Sequence, residues 1–326
     1  MTIFRIVLHF LAGLVVIVTV LPMWRTSRWW VRLCDFPRFQ IAALAAALIV
    51  LIPMSHWPPT RLQFAALSLV ILSFLWQLWW VWRYLPIAPF EVQRSNAPPE
   101  ASGCISLLTT NVFQNARDCD ALLQIIFDAD PDLVLAVESD EWWCSKLREG
   151  LQTRYPHCVC HPLSNGYGMA LFSRRELVEP SIRFLVDDAI PSIKVGVRLR
   201  SGAAIDLYGL HPQPPAPRQD SSERDAELIL VGIEIQRAGR PAIVLGDLND
   251  VAWSPMTSEF KRIGNLLDPR RGRGFFNTYP AGLPGFRYPL DYVFHTEHFT
   301  VSHMRVLPRF KSDHLPLTVT LCLSAG

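Results

Sequence analysis

The chain has 326 residues, half of them hydrophobic and only 18% charged, with a formal net charge of +2 and a positive mean hydropathy of +0.20. This composition excludes a disordered or highly solvated chain, and it is more apolar than an ordinary soluble enzyme of this size. The excess is local: residues 1–100 hold 8 of the 11 Trp, 8 Arg, no Lys and 3 acidic residues, whereas residues 101–326 hold 23 basic and 26 acidic residues, a net of −3 that argues against a strongly basic nucleic-acid binder.

Three uncharged stretches open the chain: residues 6–23, 39–54 and 62–82, of 18, 16 and 21 residues. A membrane-crossing helix needs about 20 apolar residues. The first and third qualify; the second is short and ends at Pro53, although no charge follows before Arg61. Trp24, Trp29, Trp30, Trp79, Trp80 and Trp82 cluster at the ends of these runs, where an interfacial aromatic belt lies. A cleaved signal peptide fits poorly, because the basic region is Arg5 alone and no small-residue cleavage site precedes Pro22 and Trp24. Residues 1–84 are therefore expected to be a transmembrane segment of about three helices, making the lipid bilayer a partner and the cell membrane the location, with multiple passes. The first loop carries Arg25, Arg28, Arg32 and Arg38, and the opposite side Arg5 and Arg61. With three spans, the positive-inside rule places everything after Trp82 in the cytoplasm. With two spans, the C-terminal domain lies opposite that loop. If Arg25–Arg38 merely lies along the headgroups, its arginines say less.

Residues 85–101 contain Pro86, Pro89, Pro98 and Pro99 and read as a linker. The seven cysteines are Cys34 and, beyond the linker, Cys104, Cys119, Cys144, Cys158, Cys160 and Cys322; no CxxC pair exists, which argues against a zinc site. Cys158 and Cys160 would share one face of a strand. All seven are expected to be small buried hydrophobes.

Residues 102–322 have an α/β pattern. Strands are predicted at 105–110, 133–137, 169–173, 193–199, 205–210, 242–246, 288–294, 301–307 and 315–321. Helices are predicted from an Asp118 cap to about Phe127, between the second strand and a closing Gly150, over 224–237, and from the N-cap pair Ser254–Pro255. Strand-rich hairpins mixed with a few helices indicate two packed sheets with helices outside.

Several apolar strands end in a polar residue of functional type: Asn111, Glu138, His211, Asp247 with Asn249, Asp291, and Asp313 with His314. Singly these have plain explanations, such as a turn at Asp247 or a loop at Asp313. Together, on adjacent strands, they would converge on one rim. Hydrolysis of a phosphoester needs such a set. A divalent cation such as Mg²⁺ is held by carboxylate and amide oxygens, a carboxylate orients or deprotonates water, and donors meet the charge on the phosphoryl oxygens. Histidine suits the last task, with a carboxylate behind it to fix its tautomer.

At Thr-Thr-Asn111-Val, Val-Glu138-Ser, Gly168-Met-Ala-Leu-Phe-Ser-Arg174, Leu-His211-Pro, Gly-Asp247-Leu-Asn249, Leu-Asp291-Tyr-Val and Ser-Asp313-His314-Leu-Pro, the chain resembles the endonuclease/exonuclease/phosphatase superfamily with the deoxyribonuclease-I-like fold. The match runs through essentially all of 102–322, in family order, and His-Pro-x-Pro-Pro resembles a membrane-tethered bacterial-type subgroup. The resemblance implies a four-layer α/β sandwich, two packed mixed β-sheets flanked by helices. It also implies a hydrolase acting on a phosphodiester or phosphomonoester with Mg²⁺ or Mn²⁺. Glu138, Asn111 and Asp313 would bind the metal. Asp247 would activate water or hold a second metal, and Asn249 would donate to the phosphate. His314 would contact the scissile phosphate with Asp291 orienting it, and His211 would stand near the leaving group. Some relatives support the second histidine with a carboxylate, and 164–173 has none, which weakens a deoxyribonuclease assignment. The expected substrate is nucleic acid, a lipid headgroup or a small phosphoester; the rival readings are a DNA or RNA nuclease and a catalytically inert membrane scaffold. Arg183, Arg270, Arg271 and Arg273 are candidate phosphate contacts, with solvated loop charge the plainer alternative. The Gly- and Arg-rich segment 269–284 is a candidate substrate loop.

Overall fold

The computed structural model describes residues 2–55, 60–217 and 219–324. The chain forms two compact units, one of residues 1–88 with 215–221 and one of 89–214 with 222–326.

In the first unit, α1 (Thr2–Val20), the short α2 (Trp29–Arg32), α3 (Arg38–Met54) and α4 (Arg61–Val81) follow in order. Leu8, Ala12 and Val15 of α1 pack on Ile41, Ala45, Leu48 and Ile52 of α3 and Val70 of α4. Outward the helices remain apolar, with Ile3, Phe10, Met54, Leu62, Leu72 and Trp79 exposed. Two helical stretches, Ile3–Met23 and Arg61–Tyr84, are long and apolar enough to cross a membrane; a third span results if Trp29–Asp35 and Arg38–Met54, bent by 63°, count as one. Arg38 is buried, ion-paired to Asp35 and bonded to Gln77 Oε1 at 3.0 Å. Gln77 in turn donates to Thr19 Oγ1 at 2.9 Å. Arg38 is thus a packing residue of this bundle and not a loop charge.

The second unit carries β1 (Cys104–Asn111), α5 (Cys119–Ala129), β2 (Leu133–Val137), α6 (Glu141–Leu151), β3 (His157–His161), β4 (Met169–Ser173), β5 (Leu177–Arg183), β6 (Ser192–Arg198), β7 (Ala204–Leu210), α7 (Ser222–Ala238), β8 (Ala242–Asp247), α8 (Pro255–Ile263), β9 (Leu266–Leu267), β10 (Asp291–Thr296), β11 (Phe299–Val306) and β12 (Leu317–Leu323). They build two six-stranded mixed sheets, ordered β11-β12-β1-β2-β4-β3 and β5-β6-β7-β8-β10-β9. Alternation decides the layers. Leu107, Leu135, Leu171, Val195, Leu207, Leu245 and Val319 meet between the sheets. Leu108, Val134, Ala136 and Phe172 face outward under Leu122, Ile126, Trp143 and Leu147 of α5 and α6. Each fully buried Leu, Val, Ile or Phe among them is worth about 1.5–3 kcal/mol. The predicted four-layer sandwich is the fold of this unit.

Local corrections are informative. Gly150 does not close α6, which runs on to Leu151. The glycine is there because a Cβ would lie 2.5 Å from the Leu123 side chain of α5. Asp118 stands at the N-cap of α5 without capping it; its carboxylate accepts from Lys311 N at 3.3 Å instead. Ser254 does cap α8, accepting from Thr257 N at 2.9 Å. Cys104 and Cys322 are not two free small hydrophobes: they face each other in the β1–β12 register and form a disulfide. Cys158 is exposed.

Glu227 of α7 is 5% exposed, and its Oε1 has no hydrogen-bond partner among the described residues. Burial pushes its carboxyl up to about 8, with Arg183 opposing. A raised folded-state value means that the group supports the fold fully below its unfolded value, about 4.5, and that this support is lost as pH rises through about 8. Glu227→Gln is therefore expected to match the native protein in melting temperature near pH 4.5 and to exceed it above pH 8, by the equivalent of a few kcal/mol. Parallel melting curves across that window would count against it.

Candidate active site

The topology brings the polar strand ends to one rim. β1 and β2 are parallel, with Asn111 opposite Val137. β7 and β8 are parallel, so His211 and Asp247 emerge at the same end. β10 runs antiparallel to β8 with Asp291 opposite Asp247, and β12 runs antiparallel to β1. The entries to β10 and β12 therefore lie with the exits of the other four.

Asp247 is the hub. Its Oδ2 accepts from Asn111 Nδ2 at 3.1 Å and lies 3.5 Å from His314 Nε2 and 3.9 Å from His211 Nε2. Its Oδ1 accepts from Asn249 N at 2.9 Å. Gly246 aims it. At φ +140°, a Cβ here would lie 2.0 Å from the Leu210 carbonyl oxygen, so only glycine lets the backbone of β8 turn against β7 at this point. Glu138 sits at φ +61° just past β2; its Oε1 accepts from Asn111 Nδ2 at 2.7 Å and its Oε2 from Gln114 N at 3.3 Å. Gly168 backs the next residue, since a Cβ there would lie 2.0 Å from Ser139 O.

His314 Nδ1 is 2.8 Å from Asp291 Oδ2. Burial pulls the imidazole down, but Asp291 and then Asp247 outweigh it and carry it up to about 10, the imidazolium form. His211 has the opposite fate: burial takes it down to about 4 against the pull of Asp247. No group among the described residues bonds its Nδ1, in keeping with the missing carboxylate in 164–173. Two histidines on one carboxylate thus carry different charges. Asn249 Nδ2 donates to Pro212 O at 2.9 Å, tying its loop to the segment after His211.

Four carboxylates, those of Glu138, Asp247, Asp291 and Asp313, meet one imidazolium here. Burial and then Asn111 set opposing pulls on Glu138, and the net direction, with Asp247 adding its charge, is upward. Asp313 is also raised, by burial first, with Glu138 and Asp247 adding to it. Its Oδ1 is buried without a partner among the described residues. Excess negative charge and an orphaned carboxylate oxygen fit a hard cation held by oxygen ligands. Asp247, Asp291 and His314 also place ligand atoms within 4.8 Å of one another, but Nδ1 of His314 is taken up by Asp291, so this trio is a hydrogen-bonded chain first.

Several residues gave no signal in the sequence. Ser312 Oγ donates to Asn111 O at 2.7 Å and accepts from His314 N at 3.0 Å, locking two site segments together. Tyr279 and Tyr167 place their rings 4.7 Å from His314 and 5.5 Å from His211. The segment 269–284 reaches the site at its later end, where Ala281 N donates to Asp313 O at 2.7 Å. Of the four candidate arginines, Arg183 pairs with Glu234, Arg270 with Asp268 and Arg271 with Glu91. These three are partly or fully buried ion pairs and not solvated loop charges.

Residues 108–314 match the model of the Endonuclease/Exonuclease/phosphatase family, more than half of the chain, and the protein belongs to that family. It is accordingly a hydrolase of phosphoester bonds. Among solved structures with the same fold, an endonuclease/exonuclease/phosphatase from Beutenbergia cavernae is 19% identical, covering 68% of this chain and 72% of its own at a TM-score of 0.55. A humanized D. rerio TDP2 is 20% identical, covering 68% and 99% at 0.56. The human Nocturnin catalytic domain with bound sulfate anion is 19% identical, covering 69% and 96% at 0.53. No curated protein matches the chain.

Proposed function

We propose that this chain is a membrane-anchored, divalent-metal-dependent phosphoesterase that hydrolyses a phosphodiester or phosphomonoester by attack of water. The observation that carries the proposal is the convergence of Asn111, His211 and His314 on one oxygen of Asp247, beside Glu138. Glu138, Asn111 and Asp313 would hold Mg²⁺ or Mn²⁺. When bound there, the cation supplies charge neutralisation and polarisation of the phosphoryl group. Asp247 orients the attacking water and takes its proton. His314, kept protonated by Asp291, donates to a phosphoryl oxygen where negative charge builds. His211, neutral, stands by the leaving group. Asn249 spends one amide hydrogen on Pro212 and turns the other to phosphate.

The unsupported Nδ1 of His211 favours a general phosphoesterase over a deoxyribonuclease. A nuclease remains the second reading, because D. rerio TDP2 has been solved with a single strand DNA product. An inert scaffold is the poorest fit, since Glu138, Asp247 and His314 are all present. Plasmid DNA, RNA, sphingomyelin, inositol phosphates and an aryl phosphodiester, each offered with and without EDTA, test the proposal. Turnover of at least one is expected, abolished by the chelator and restored by Mg²⁺ or Mn²⁺. Chelator-resistant turnover refutes the metal role, and no turnover at all favours the scaffold.

We propose in addition that the catalytic unit lies on an oxidising face, a reading supported by the Cys104–Cys322 disulfide. The loop arginines favour the cytoplasm, but one of the four, Arg38, is spent on Asp35, which leaves the covalent link the stronger support. A C-terminal alkaline phosphatase fusion is expected to be active in cells, and Cys104 and Cys322 to resist maleimide until reduced. An inactive fusion with both thiols free would reverse the assignment.

A further inference from the structure

Arg273 is the one candidate arginine without a carboxylate partner among the described residues. Its guanidinium donates only to main-chain carbonyls, Nη1 to Pro269 O at 3.0 Å and Nη2 to Val92 O at 2.7 Å. Its guanidinium carbon also lies 4.5 Å from the centre of the Phe90 ring. That of Arg94 lies 5.2 Å from the centre of the same ring. Two cations therefore share one aromatic platform, and no acidic group pairs with either among the described residues. Elsewhere in this unit the arginines of the same segment are neutralised: Arg270 by Asp268 and Arg271 by Glu91.

The backbone fixes this arrangement. Gln93 O accepts from Val301 N at 3.0 Å and Ser95 N donates to Val301 O at 2.8 Å, so residues 93–95 lie as a short extra edge on β11. At the next residue, Ser302, the β11–β12 register slips by one. Such a bulge bends an edge strand and interrupts its pairing. Beside it lies a cavity of about 170 Å³ lined by Arg94, Arg273, Val301, Ser302, His303 and Met304. The cavity has cationic and hydroxyl donors, a histidine and no carboxylate.

We propose that this cavity is a second anion site, separate from the catalytic rim, which binds a phosphate group through Arg94 and Arg273. The planar guanidinium of Arg94 suits phosphate oxygens, Arg273 adds the N–H groups that its two carbonyl bonds leave over, and the anion would relieve the repulsion between the two arginines. Partial burial and the charge of Arg94 already pull Arg273 below its usual range, which marks the pair as lacking a counter-charge. The same chemistry has two sources: free phosphate or the phosphate of an anionic lipid headgroup. The sequence position of Phe90 and Arg94, soon after the last apolar helix, makes the second available.

The test is amide hydrogen exchange on the full-length protein, read at residues 92–95 and 300–304 so that binding at the catalytic rim is scored separately. One arm adds inorganic phosphate to protein in uncharged detergent. The other compares nanodiscs of phosphatidylcholine with and without phosphatidylglycerol. Slowed exchange at both segments is expected in at least one arm: phosphate alone identifies a soluble ligand, and phosphatidylglycerol a lipid. Arg94 is exposed, so Arg94→Gln should fold normally and abolish the protection, as should Arg273→Gln. No protection in either arm, or equal protection in the Arg94→Gln protein, overturns the site.

Discussion

Asp247→Asn and His314→Gln are each expected to lower turnover by at least about a hundredfold, or about 2.7 kcal/mol of transition-state stabilisation. The two substitutions act through one contact. Asp247 is an acceptor surrounded by donors: Asn249 N, Asn111 Nδ2 and the two imidazoles. An amide keeps the shape and loses the charge, and its NH₂ must face a donor on one side or the other. The positive charge on His314 then loses one of its two supports, and the proton acceptor for water disappears. His314→Gln removes the imidazolium that Asp291 and Asp247 together maintain. Asp291→Asn acts only through His314, so its effect should be smaller. Each variant is measured with the substrate identified by the panel, and a melting curve confirms that it folds. Native turnover in both Asp247→Asn and His314→Gln would refute the assigned roles, whatever the substrate.

The site was legible for a simple reason. A strand is recognised as an apolar run, and the residue that breaks the run marks the strand's end. β2 was bounded at 133–137 in this way, and Glu138 follows it directly. Asn111, His211 and Asp247 are marked by the same signal, whereas Asp291 falls inside the predicted strand 288–294 and in the structure opens β10. What the sequence withholds is which strands are neighbours. β1 lies between β2 and β12, and the Cys104–Cys322 bond joins residues 218 apart; no local pattern encodes either. β3 and β5 carry no clear strand signal in the sequence because both are edges, only partly buried. In β5, Glu179 at φ +48° and a register slip between Val178 and Ser181 break the alternation by which a strand is recognised. Ser312, Tyr167 and Tyr279 resemble any loop residue until the fold places them beside the two histidines. Gly150 misled because a glycine late in a helix usually marks its end, whereas here it makes room for Leu123.

Gly246→Ala should damage both fold and activity. The residue combines a left-handed backbone with contact to a neighbouring carbonyl: φ is +140°, and the ideal Cβ falls 2.0 Å from Leu210 O. Backbone in that region strains any L side chain by about 1–3 kcal/mol, and the clash is with main chain, which cannot rotate aside. Relief requires β7 and β8 to separate at the Leu210–Gly246 pairing. That movement displaces His211 and Asp247, the residues next in sequence to Leu210 and Gly246. The expected loss of stability is about 2–4 kcal/mol, seen as a lower melting temperature, with turnover falling further than unfolding alone explains. Gly103→Ala is the control, because its nearest contact, Leu323 O, is at an ordinary 3.8 Å, and it should leave both readouts unchanged. If Gly246→Ala melts with the native protein and retains its turnover, the tight approach of β7 to β8 is not what positions Asp247, and the placement of the hub would need another cause.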